Sequence, residues 1–163
     1  YDPLCGILNR RGWAKKSSAL INMHAKKGGV LCLMYIDLDD FKQINDSYGH
    51  AVGDDALCKV ARCLKSSVRS SDAVGRLGGD EFVVLAHFYT NAQVNPKTHH
   101  LKTALNRLTI NHNNDPIAIK ASMGTTVFSE PPHSIDEILK AGDTAMYHEK
   151  IQRKVKPLTL VDG

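Results

Sequence analysis

Seven consecutive apolar residues, Val30 to Ile36, run directly into Asp37-Leu38-Asp39-Asp40. A run of this length, apolar at every position, reads as a strand buried on both faces. It is a third of the roughly 20 residues that a membrane helix needs, so it crosses no bilayer. A carboxylate at the end of such a strand is costly unless it is solvated, caps a helix or binds a cation. This strand and its acidic terminus therefore constrain both the fold and the chemistry.

The remaining elements arrange themselves around it. Gly12 to Lys27 carries Trp13, Leu20, Ile21 and His24 at helical spacing and stops at Gly28-Gly29. Phe41 to Tyr48 reads as a short helix capped by Asp39 or Asp40 and ended by Gly49. A longer helix follows from about Asp54 to Val68. Ala73 to Leu77 and Glu81 to Ala86, joined through Gly78-Gly79-Asp80, read as a β-hairpin. Thr90 to His100 is polar and loop-like, a helix is expected from about Lys102 to His112, and Ile117 to Phe128 is extended. Ser134 with Glu137 starts a last helix through about Lys150. Strands in mixed order with helices predict an α+β domain, a mostly antiparallel sheet with its helices on one face.

With 163 residues the chain has the length of one domain, 1–163, and 42% hydrophobic residues give it a core. The start at Tyr1-Asp2-Pro3, without Met, fits a domain excised from a longer protein. Cys5, Cys32, Cys58 and Cys63 have no CxxC spacing, which argues against a zinc site or a disulfide framework and for a cytoplasmic location. The net charge of +4 raises the question of nucleic acid, but only 6% of the residues are aromatic, and Trp13, Phe41 and Phe82 read as core. A single-strand binder needs exposed stacking rings, so nucleic acid is not an expected partner. The histidines lack ligand spacing; His87, after a strand, is expected at the surface.

Two acidic clusters carry the chemistry. Asp37 to Asp40 ends the apolar strand, and Asp80-Glu81 sits in the hairpin turn. If the two strands are neighbours, the clusters converge into an oxygen-rich site suited to Mg²⁺. Gly78 and Gly79 would expose backbone to a phosphate or base.

Gly78-Gly79-Asp80-Glu81-Phe82 resembles the signature of the GGDEF family, the diguanylate cyclases. Asp2 to Arg11 resembles that family's D-x-L-T-G-L-x-N-R-R opening, and Asp37 to Asp46 its D-x-D-x-F-K-x-I-N-D block. Gly49-His50, Gly53-Asp54, Ser122-Met123-Gly124 and Ala141 to Tyr147 with Lys150 continue the match in order and spacing. The resemblance implies a ferredoxin-like nucleotide-cyclase fold, a mostly antiparallel central sheet flanked by helices. It implies that two GTP molecules are joined into cyclic di-GMP with release of two pyrophosphates.

The same resemblance implies roles. Asp37, the Leu38 carbonyl and Asp80 would hold Mg²⁺ or Mn²⁺, with Asp80 and Glu81 as the catalytic acids. Asn45 and Asp54 would read guanine, whose N1–H and N2–H₂ donors suit a carboxylate; His50 shares that pocket. Lys42, Gly78, Gly79, Lys150 and Lys154 would meet the rest of the substrate. Each domain would bind one GTP, so turnover requires a homodimer. Arg69 and Asp72 match an inhibitory R-x-x-D motif, where cyclic di-GMP would bind as feedback inhibitor. The chain departs from the pattern where Cys5 replaces Thr, Trp13 replaces Phe, Gly142 lies inside a helical stretch, and Arg153-Lys154 stands where Gly-Arg is common. The alternative reading is a catalytically silent module that binds GTP or cyclic di-GMP as a signalling receptor.

Overall fold

In the computed structural model, residues 1–162 are described, with side chains through residue 153. The helices are α1 (Arg10–Lys27), α2 (Phe41–Tyr48), α3 (His50–Ser67), α4 (Val94–Asn106) and α5 (Ile135–Asp162). The strands are β1 (Val30–Leu38), β2 (Ala73–Gly78), β3 (Glu81–Phe88), β4 (Thr109–His112), β5 (Asp115–Ala118) and β6 (Ala121–Phe128). Four strands form one sheet in the order β2-β3-β1-β6, with every pairing antiparallel. The α+β class and the antiparallel sheet stand as expected.

The expectation of helices on one face does not. Cys32, Met34, Ile36 and Leu38 pack with Leu57, Val60 and Leu64 of α3 and Leu101 of α4. The alternate residues Leu31, Leu33 and Tyr35 pack with Trp13 and Leu20 of α1 and with Ile138 and Met146 of α5. β1 is thus apolar throughout because it serves two cores, one on each side of the sheet. Trp13 is fully buried in the second, where its indole N–H donates to the Ala73 carbonyl at 3.1 Å.

Other boundaries moved for local reasons. α3 begins at His50, directly after Gly49, whose φ of 91° turns the chain between the two helices. α4 begins at Val94, directly after a 3₁₀ turn over Asn91–Gln93 that Thr90 and Gln93 start with a reciprocal capping box, a signal hidden in a stretch that reads as loop. It ends at Asn106; Thr109 to His112 then pairs with Asp115 to Ala118 around Asn113 and Asn114, both in the left-handed region, at φ 52° and 68°. Neither Asp39 nor Asp40 caps α2 with its side chain: Asp40 occupies the cap position at φ 55° without a side-chain bond, and Asp39 is engaged by Ser122. His87 lies within β3 and is buried, its Nε2 2.7 Å from the Gly28 carbonyl oxygen.

Gly142 finds its reason in the packing of α5 on β1. A Cβ there would lie 2.6 Å from Tyr35 Cδ2 and 2.9 Å from Leu33 Cδ2. Gly142→Ala gains about 1 kcal/mol of helix propensity and loses about 1–3 kcal/mol to overpacking. The expected result is a Tm lower by about 2–4 °C in a thermal melt, against the sign that propensity alone predicts.

Candidate active site

Register brings the two acidic clusters together. Asp37 is the Cα partner of Glu81 on one side and of Ser122 on the other. The backbone N–H of Leu38 donates to the Asp80 carbonyl at 3.3 Å, tying the strand end to the hairpin turn. The carboxyls of Asp37 and Asp80 then face one another. Partial burial, reinforced by the hydrogen bond and charge of Asp37, pushes Asp80 up to about 6.

Cations answer these carboxylates from α5. Lys150 Nζ donates to Asp37 Oδ2 at 2.5 Å, and that contact holds the ammonium pKa above its ordinary value. Arg153 donates to Asp39 Oδ2 at 2.5 Å and to Ser122 Oγ at 2.8 Å, while Ser122 donates to Asp39 Oδ1 at 2.7 Å. Asp37, Leu38, Asp80, Lys42 and Lys150 all line one open cleft of about 620 Å³, joined by Lys120 and Arg153. Arg153 therefore enters this cleft from the position where the Gly of the motif was expected. Lys154 falls outside the residues whose side chains are described.

Glu81 is placed differently from Asp80. Its Oε2 accepts the Tyr35 hydroxyl at 2.7 Å, and burial together with this carboxylate raises the Tyr35 pKa. Tyr35 was read as one more apolar residue of β1; a buried phenol needs a partner for its O–H, and that need was the available signal.

The hairpin turn is held by Arg76, which sequence reasoning passed over. Its Nε and Nη2 donate to the Gly79 carbonyl at 2.9 and 2.7 Å, and its Nη1 donates to Asp2 Oδ1 at 3.0 Å. An arginine inside an otherwise apolar strand was the clue. Gly78 and Gly79 adopt φ of 147° and 51°, and a Cβ on either would meet nothing within 4 Å. Backbone geometry alone demands glycine there, and the turn stays open to an approaching ligand.

Asn45, His50 and Asp54 gather at the corner between α2 and α3, beside the cleft but not lining it. Gly53 is buried there because Asn45 fills its Cβ position: a methyl would lie 1.8 Å from Asn45 Oδ1. Arg69 and Asp72 lie apart, lining a separate recess of about 480 Å³. Asp72, whose side chain is only 1% exposed, accepts from the Arg69 backbone N–H at 2.8 Å and from its guanidinium at 3.2 Å. The same guanidinium donates to the His87 carbonyl at 2.6 Å and lies over the Phe88 ring. Asp72 thus anchors a half-exposed arginine.

Among the described residues no cluster of three or more His, Cys, Asp or Glu is arranged to cage a metal. The donor set at Asp37, Asp80 and the Leu38 carbonyl still fits a hard divalent ion, since Mg²⁺ is commonly held by one or two carboxylates with substrate phosphates completing its shell. The crowding that raises Asp80 is the feature such an ion would relieve.

A helix-flanked antiparallel sheet with paired carboxylates where β1 meets the β2–β3 turn defines the class of α+β domain. The chain matches the family model "Diguanylate cyclase, GGDEF domain" over residues 1–156, and it belongs to that family. It is 37% identical over 156 residues to diguanylate cyclase DgcM of Escherichia coli (strain K12), covering 92% of this chain and 36% of that protein. It is 32% identical over 149 residues to diguanylate cyclase DgcP of Pseudomonas aeruginosa, covering 91% of this chain and 22% of that protein. The chain therefore spans about a third or less of these two relatives. A sensory box/GGDEF family protein from Caulobacter crescentus CB15 superposes with a TM-score of 0.86 at 30% identity, covering 93% of this chain and 98% of that one. Among the described residues no helix is long and apolar enough to cross a membrane.

Proposed function

We propose that the domain is a diguanylate cyclase that condenses two GTP into cyclic di-GMP and two pyrophosphates. The observation that carries this reading is the facing pair Asp37 and Asp80, set in a cleft that also holds Lys42 and Lys150. Asp37, Asp80 and the Leu38 carbonyl would hold Mg²⁺ or Mn²⁺. Bound there, the ion would lower the pKa of the attacking 3′-hydroxyl and offset charge on the α-phosphate oxygens.

The chain's own residues do the rest. Asn45 and Asp54 accept and donate along the guanine edge, with His50 beside them. Lys150 neutralises Asp37 in the free domain and turns to the triphosphate when that carboxylate has another counter-charge. Lys42 and Lys154 add to the same positive field. Gly78 and Gly79 let the phosphate chain approach backbone. Asp80 or a water would take the hydroxyl proton, and Glu81 is a second acid held by Tyr35. One domain carries one such site, so two domains must meet face to face in a homodimer. Holding the two reactants together is worth up to about 7–11 kcal/mol in well-oriented systems. Arg69, held by Asp72, would bind cyclic di-GMP as feedback inhibitor. The reading places the activity in the cytoplasm, where GTP is available.

Incubation with GTP and Mg²⁺ followed by nucleotide chromatography tests this. A cyclic dinucleotide peak is expected. GTP left unchanged at high protein concentration, with the dimer confirmed, would make the domain a silent nucleotide-binding module.

A further inference from the structure

We propose that Cys5 and Cys58 form a reversible, oxidant-responsive disulfide site that joins the N-terminal turn to α3. All four cysteines are reduced in the structure, and Cys5 and Cys58 are both part-exposed. The thiol of Cys58 lies 3.4 Å from the Leu4 carbonyl oxygen. That oxygen sits about 2.8 Å from the Cys5 Cα across a planar trans peptide, so the Cys58 sulfur is within about 6 Å of that Cα. The Cys58 side chain is also near enough to the Cys5 thiol to help raise its pKa. A disulfide closes from there once the Cβ atoms stand about 3.5–4.5 Å apart and rotation of both side chains brings the sulfurs together.

The turn that presents Cys5 is itself held. Asp2 accepts from the backbone N–H of Leu4 at 3.0 Å and of Cys5 at 2.8 Å, and the Asp2 N–H donates to the Ile7 carbonyl. Cys58 sits on a long helix, one turn beyond Asp54. The pair is therefore fixed by two ordered elements and reachable by a small oxidant.

The oxidant is hydrogen peroxide. The Cys58 thiolate attacks one peroxide oxygen: an S–O bond forms, the O–O bond breaks, and one water leaves after protonation. Cys5 then attacks the resulting sulfenic sulfur, forming the S–S bond and expelling a second water. Two thiols lose two electrons and two protons, and the peroxide gains both. Partial burial pushes the Cys5 thiol up to about 12, so Cys58 and not Cys5 is the thiol that meets the peroxide first.

The test treats the folded chain with hydrogen peroxide, blocks remaining thiols with N-ethylmaleimide and maps peptides without reduction. The expected result is the paired loss of two thiols, a linked peptide joining Cys5 to Cys58, and full reversal by dithiothreitol. Buried Cys32 remains alkylatable only after unfolding. The linked form should melt several degrees higher, because the bridge closes a long loop in the unfolded chain. Cys58→Ser should abolish the link and leave Cys5 alkylatable; Cys5→Ser should leave a dimedone-reactive sulfenic acid at Cys58. Independent alkylation of Cys5 and Cys58 after peroxide, or a link between two chains in place of the internal one, would overturn the proposal. None of these readouts needs GTP turnover.

Discussion

Asp80→Asn is expected to abolish turnover while making the metal-free domain more stable at neutral pH. The two effects have one origin, the carboxyl pair at the junction of β1 and the hairpin. In the proposed mechanism Asp80 is both ligand and proton acceptor, and loss of a group of this kind typically costs about 10²–10³ in rate or more. In the free protein the same group is a burden. Its pKa stands at about 6 against an ordinary 3.8, first through burial and then through Asp37. Between those values the folded chain keeps a proton that the unfolded chain has released. Stability therefore falls as pH rises through that window and stays lower above it. Asparagine cannot ionise, so in chelator at pH 7 the variant should melt higher than wild type, by about 1 kcal/mol once screening in an open cleft is allowed for. Below pH 4 the difference should vanish. A variant with near-normal turnover, or one that melts lower at pH 7 and equally at pH 4, contradicts the assignment.

Gly53→Ala should raise the KM for GTP by about tenfold, or about 1.4 kcal/mol of binding, with a much smaller effect on Tm. The added methyl falls 1.8 Å from Asn45 Oδ1, so the amide must leave its place at the α2–α3 corner. The obstructing atom is the end of a side chain rather than backbone, which keeps the folding cost modest. In the proposed site, recognition of guanine depends on that amide and on Asp54, so discrimination between GTP and ATP should narrow as well. Steady-state kinetics with both nucleotides, beside a thermal melt, checks this. An unchanged KM would remove Asn45 from the nucleotide site.

Much of this was legible in the sequence because local signals and tertiary role agreed. The Val30–Ile36 run announced a doubly buried strand, and Gly78-Gly79-Asp80 announced the turn that faces its acidic end. That same run also implied cover on both sheet faces, a consequence that the one-sided reading of the helices missed. The α4 start was obscured because its signal, the Thr90–Gln93 box, lies in a polar stretch. Thr109 to His112 reads at helical spacing until Ile110 finds Ile117 across the Asn113-Asn114 turn. Arg76 and Tyr35 were not legible as site residues, since their partners Gly79 and Glu81 become neighbours only through the fold. Gly142 looked like a defect in a helix and became a packing requirement once Tyr35 was seen beneath it.

The most direct measurement is pyrophosphate release against GTP consumed, at saturating Mg²⁺ and over a range of protein concentrations. One pyrophosphate per GTP, a cyclic dinucleotide as product and a specific activity that climbs with protein concentration are the predicted result. Release of inorganic phosphate in place of pyrophosphate, or no consumption of GTP by a confirmed dimer, would contradict the assignment of Asp37 and Asp80 to cyclase chemistry.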